Sequence, residues 1–157
     1  MALLGVDWWS NTASEVILVL NASATLVMVG LIWFVQIVHY PLLARFGRDT
    51  STSVAEEHQR RTGQVVALPM AVEGVTTLAL LVDAPSSVWI GWPWIGAFLL
   101  AIVLLSTLLL SVPLHARMAR AHDERTGRRL VLTNWPRTVG WTARGAISVV
   151  MVLQSVG

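Results

Sequence analysis

Three histidines and one glutamate are the residues of this chain best suited to chemistry. His39, His58 and His115 supply imidazoles, and Glu73 supplies a carboxylate within an otherwise apolar stretch. Three imidazoles and a carboxylate form a ligand set for iron, copper or zinc. Helix bundles build such sites from inward-facing side chains on separate helices. None of the close-spaced signatures, His-Glu-x-x-His or Glu-x-x-His, is present, so the ligands would come from distant parts of the chain. Glu73 has a second chemical reading as a proton-transfer base, with Arg144 tuning its charge. It also has a structural one, a buried Glu73–Arg144 ion pair that fixes how two helices meet. A bis-histidine haem between His39 and His115 is less favoured, because neither histidine lies midway along its apolar segment. Arg137 or Arg144 would then sit near the propionates. Singly, His39 or His115 can also cap carbonyls at a helix C-terminus. The fourth histidine, His122, lies in the charged run 120–125 and reads as exposed.

Other side chains complete the candidate site. Gln36 would orient a ligand or substrate. Arg137 and Arg144 would stabilise negative charge, with Arg137 and Trp141 on the cofactor side and Trp135 and Trp141 walling the inner end. Arg137, Trp141 and Arg144 share one helical face, as do Gln36 and His39, and Asn21 and Thr25. Thr107, Ser111 and His115 follow one another at four-residue spacing. The sequence has no phosphate-binding glycine loop and no Gly-x-Ser-x-Gly elbow. The absence of cysteine excludes disulfides, thiolate ligands and a cysteine nucleophile.

The elements that must position these groups are membrane spans. The 157 residues are 55% hydrophobic and only 13% charged, against about 25% charged in soluble domains. Four segments reach the roughly 20 apolar residues that cross a bilayer: 16–40, 64–82, 93–115 and 137–154. Backbone groups in lipid must be satisfied within each segment, so the expected fold is all-α, a four-transmembrane-helix bundle in a single domain. The first segment lacks a basic leader and is too long for a signal sequence, so it reads as a retained span. All positive charge is arginine. Arg45, Arg48, Arg60 and Arg61 fall between spans one and two, and the remaining seven follow span three or open span four. The positive-inside rule therefore places both termini outside and both arginine-rich connections, short and helical, in the cytoplasm. Topology explains the basic charge better than nucleic acid does.

Local signals refine the layout. Pro41 is expected to stop span one. Asp49, Thr50 and Ser51 would cap a short helix ended by Gly63, and the extension of span three would end at Gly127. Asn134 would cap span four, with Pro136 in its first turn. Residues 84–87 read as a tight turn. Trp8, Trp9, Trp89, Trp92 and Trp94 would form an outer aromatic belt, and Trp135 and Trp141 an inner one. Ala67, Ala71 and Gly74 suit close helix approach. Counted inward, Glu73 and Arg144 would lie roughly 10 Å below the inner interface.

Taken as a set, His39-Tyr40-Pro41, His58-x-x-Arg61, Pro69-Met70-x-x-Glu73, Pro113-Leu114-His115 and Asn134-Trp135-x-Arg137-Thr138-x-x-Trp141 resemble an uncharacterised family of small bacterial four-span membrane proteins. That resemblance implies the bacterial inner membrane and no particular activity. In hydropathy alone the chain is also similar to the anthrone-oxygenase-like membrane family. Three functions are open at this stage. The first is a membrane oxidoreductase acting on a lipophilic substrate. The second is a non-catalytic accessory or assembly subunit, its arginine-rich surface docking anionic lipid or a protein partner. The third is a small transporter or channel. Expected partners are membrane lipids, a lipophilic small molecule, and further copies of the chain or a larger membrane complex.

Overall fold

A computed structural model describes residues 11–43, 48–120 and 124–157. Several side chains at their margins, His58 among them, lie outside the description, as do Trp8, Trp9, Arg45 and His122. The described residues contain helices and no strand. They run α1 (Asn11–Phe34), α2 (Tyr40–Leu43), α3 (Arg48–Val82), α4 (Gly91–Ser106), α5 (Val112–Arg120), α6 (Glu124–Thr133) and α7 (Trp135–Val156). Four stretches are long and apolar enough to cross a membrane: Thr12–Leu42, Gln59–Val82, Gly91–Arg117 and Arg125–Val156.

The bundle is apolar outside and polar within. Leu68, Val75, Phe98 and Leu109 are each at least 66% exposed, while Asn21, Thr25, Glu73, Asn134, Thr138 and Arg144 are buried. Hydrocarbon solvates the first group at no cost, and a polar group facing lipid must find a partner within the protein. Span one packs against spans two and four, and span three against spans four and two. Three apolar layers follow one another along the axis. Leu18, Leu80, Val88 and Met151 meet near the 83–90 loop. Met28, Ile32, Val103 and Trp141 fill the middle. Tyr40, Leu114 and Leu130 close the arginine-rich end.

Two spans contain a widened π turn. Val35–His39 joins α1 to α2, with the Tyr40 N–H on the Val35 carbonyl, and Thr107–Ser111 joins α4 to α5, with the Val112 N–H on the Thr107 carbonyl. A proline ring clashes with the carbonyl four residues earlier. For Pro41 and Pro113 those carbonyls belong to Ile37 and Leu109, each inside a π turn. The extra residue in the turn makes room for the ring, so the helix passes through Pro41 to Leu43 instead of stopping.

Other boundaries differ from the sequence expectations for local reasons. Gly63 does not end a helix; α3 runs unbroken from Arg48 to Val82. A glycine inside a helix costs only about 1 kcal/mol, and strong helix formers flank this one. Gly127 likewise sits within α6. The caps expected from Asp49, Thr50 and Ser51 lie outside the described side chains. The turn near 84–87 is present, closed by the Val88 N–H on the Pro85 carbonyl. Ala67 and Ala71 face outward, and a Cβ on Gly74 would meet nothing within 4 Å. Close approach is made instead by Gly140 and Gly145 of α7. Added Cβ atoms there would come within 2.6 Å of Val103 Cγ2 and 2.9 Å of Val29 Cγ2.

Candidate functional site

The interior polar residues form two groups, joined through one tryptophan. The first surrounds Glu73, whose side chain is fully buried. Arg144 Nε donates to Glu73 Oε1 at 2.5 Å, and Thr25 Oγ1 donates to the same oxygen at 2.9 Å. Trp141 Nε1 donates to Oε2 at 3.1 Å. The rest of the guanidinium is also used. Its Nη1 donates to the Gly96 carbonyl and its Nη2 to Thr77 Oγ1, both at 2.5 Å. Asn21 Nδ2 lies 2.9 Å from Thr76 Oγ1 and 3.0 Å from Thr77 Oγ1. One ion pair thereby ties together α1, α3, α4 and α7, that is, all four spans.

Glycine at position 96 belongs to this geometry, since a Cβ there would lie 3.2 Å from Arg144 Nη1. At about 1.5 Å per residue, Glu73 is roughly 21 Å along the axis from Gln59 and about 13 Å from Val82 within the stretch Gln59–Val82. Along that stretch the pair is nearer the 83–90 loop than the arginine-rich end.

The second group lies at the arginine-rich end. Tyr40 Oη and His115 Nε2 are 2.8 Å apart, with ring centroids at 5.4 Å. Arg137 reaches the Tyr40 phenol, and its Nη1 donates to Ser111 Oγ at 3.0 Å and Asn134 Oδ1 at 3.1 Å. Asn134 Nδ2 donates to Gln36 Oε1 at 2.9 Å, and Gln36 Nε2 donates to the Val131 carbonyl at 3.2 Å. Asn134 does stand at the start of α7, but its side chain makes no capping bond. It is spent on Gln36 instead. Gln36 and Ser111 each lie in a π turn, and π turns recur at functional sites.

Trp141 links the groups. Its N–H meets Glu73, and the Arg137 guanidinium lies over its ring at 5.5 Å. At 0% exposure, Trp141 belongs to the core and not to an interfacial belt. Trp135 is exposed and packs edge-on against Trp33 at 6.0 Å. Trp89 and Trp94 are exposed near the other end, with Trp92 packed edge-on against Trp89.

Of the expected metal ligands, the described His39, Glu73 and His115 do not stand together. Consecutive helical residues point about 100° apart, so with Tyr40 turned to His115, His39 turns to a different face. It lines a groove between spans one and two with Arg61. Both Glu73 oxygens are held by protein donors. His58 lies on α3, its side chain outside the description. Among the described residues, no three of His, Asp or Glu stand together as metal ligands. Sequence reasoning gave no site role to Tyr40, Ser111, Asn134 or Thr138. The signal was present in α7, where Asn134, Arg137, Thr138 and Trp141 repeat at helical spacing along one face.

Comparison with known protein families, with curated proteins and with solved structures gives no match.

Proposed function

We propose that this is a multi-pass protein of the bacterial inner membrane, with both termini outside, that serves as a non-catalytic accessory or assembly subunit. Its interior polar residues assemble the bundle, and its arginine-rich cytoplasmic end is the working face toward anionic lipid and partner proteins. Glu73, Arg144 and Gln36 are then packing residues. One observation carries this reading: the Glu73–Arg144 pair is sealed by donors and acceptors from all four spans, leaving the carboxylate no open side for a substrate. The test is a double-mutant cycle read by thermal unfolding and monodispersity in detergent. Arg144→Met or Glu73→Leu alone strands a buried partner and costs about 3–5 kcal/mol. The double variant recovers much of that loss. A double variant no better than the sum of the singles overturns the packing role.

A second reading is supported by the phenol–imidazole contact at 2.8 Å beside Arg137, framed by two π turns. In it, the protein is a membrane oxidoreductase acting on a lipophilic substrate. Tyr40 and His115 exchange a proton with that substrate, and iron, copper or zinc is bound with help from His39 and His58. Metal analysis of purified wild type beside His39→Ala and His115→Ala separates the readings. Stoichiometric metal lost in both variants favours the enzyme. A metal-free wild type and well-folded variants favour the subunit.

A further inference from the structure

We propose that the groove between spans one and two is a seat for one anionic phospholipid. The groove has a volume of about 210 Å³, a floor of Leu31, Phe34, Val65 and Val66, and His39 and Arg61 at its polar rim. It opens on the outside of the bundle, where Phe34 is 55% and Val65 57% exposed. In a bilayer this is hydrocarbon-facing surface, so an acyl chain enters without leaving its own solvent.

Charge selects the headgroup. The Arg61 side chain is exposed and gives its Nε to Glu57. Its Nη atoms take no partner among the described residues. Glu57 also serves Arg60 through two oxygens, so among the described side chains two guanidiniums share one carboxylate and leave an excess of one positive charge. A guanidinium meets phosphate oxygens with a rigid fork of donors, which makes it the side chain of choice for a phosphodiester. Thr62 adds a hydroxyl to the lining, and the His39 imidazole lies across the groove on span one. A free phosphate ion would have to shed water against Phe34 and Val65 for a single arginine, whereas a lipid phosphate is already held at that depth by its tails. The seat rests on the chain being embedded in a bilayer, and its phosphate-binding residue, Arg61, has no part in either reading of the Tyr40–His115 end.

Native mass spectrometry of the intact protein tests it, after equilibration with mixed phosphatidylglycerol and phosphatidylcholine. Wild type retains one phosphatidylglycerol in preference to phosphatidylcholine, and millimolar inorganic phosphate does not displace it. Arg61→Gln lowers that preference about tenfold, the scale of a lost charge-assisted hydrogen bond. Val65→Trp fills the floor and removes retention with Arg61 in place. His115→Ala, in the separate Tyr40 group, leaves retention unchanged, so failure of the groove is distinguishable from failure of either functional reading. Equal preference in wild type and Arg61→Gln overturns the proposal, as does displacement by free phosphate. Arg61→Gln alters an exposed side chain, so its result stands whether or not Val65→Trp folds.

Discussion

Gly140 shows how much of the bundle is set by what is missing from one side chain. A Cβ there would come within 2.6 Å of Val103 Cγ2, and Val103 is fully buried in the middle layer. Gly140→Ala is therefore expected to push α7 away from α4 and to cost about 1–3 kcal/mol, as overpacking does. Val103→Ala in the same chain should return part of that loss by removing the methyl group that clashes. Thermal unfolding of the two singles and the double measures it, and a double no more stable than Gly140→Ala alone would show that the contact is not limiting. Ala67, Ala71 and Gly74 carry the more obvious small-residue spacing, yet Ala67 and Ala71 face outward and a Cβ on Gly74 would meet nothing within 4 Å. Spacing finds a smooth face; it does not say which neighbour the face meets. The partnership of Glu73 with Arg144 is readable from opposite charge and similar position along their spans. Their sharing of Thr25, Thr77, Trp141 and the Gly96 carbonyl was not, because those are contacts between helices distant in sequence.

At the level of the element, the two π turns are one-residue insertions that let a proline sit in a continuous helix. The expected consequence is sensitivity to deletion. Removing Ile37 (60% exposed) or Leu109 (68% exposed) closes the π turn to an α turn and brings the proline ring against the carbonyl four residues earlier, at a cost of about 3 kcal/mol. Replacing the proline by alanine in the same chain removes the ring and should return much of that loss. Thermal unfolding of each deletion with and without Pro41→Ala or Pro113→Ala measures it, and a deletion that costs nothing would show that the π turn is not there for the proline. The proline positions were visible in the sequence, but the π turns were not, since Pro41 reads as a helix stop and Pro113 as one more residue of span three. The arginine-bearing half of α3 carries a second expectation. Hydrogen bonds from Arg60, then Arg61, hold the Glu57 carboxyl well below its usual 4.5, at about 2. A lowered carboxyl pKa contributes stability above its ordinary range and loses it as the pH falls through the folded value. Helix content by circular dichroism should thus be level from about pH 8 to about pH 4. Any small difference between wild type and Glu57→Gln should vanish below about pH 2.

For the whole molecule, hydropathy alone delivered the four spans and the all-helical class, because lipid leaves the backbone so few options. The helices extend beyond the apolar runs, since arginine-bearing turns continue them in α3, α5 and α6. The proposed orientation, both termini outside, has a clean test because the chain has no cysteine. Ser87, in the 83–90 loop, and Arg125, at the start of α6, are both exposed. A membrane-impermeant maleimide added to intact bacterial cells should label Ser87→Cys and spare Arg125→Cys until the membrane is opened. The reverse pattern would invert the topology.

The sealed pair also sets a schedule for synthesis. Glu73 enters the bilayer with span two, and Arg144 arrives only with span four, the last to leave the ribosome. Until then the carboxylate has Thr25 of span one for company and no cation. A nascent chain halted after span three is therefore left with an acid in hydrocarbon whose cation has yet to arrive, the costliest moment in the insertion of this bundle.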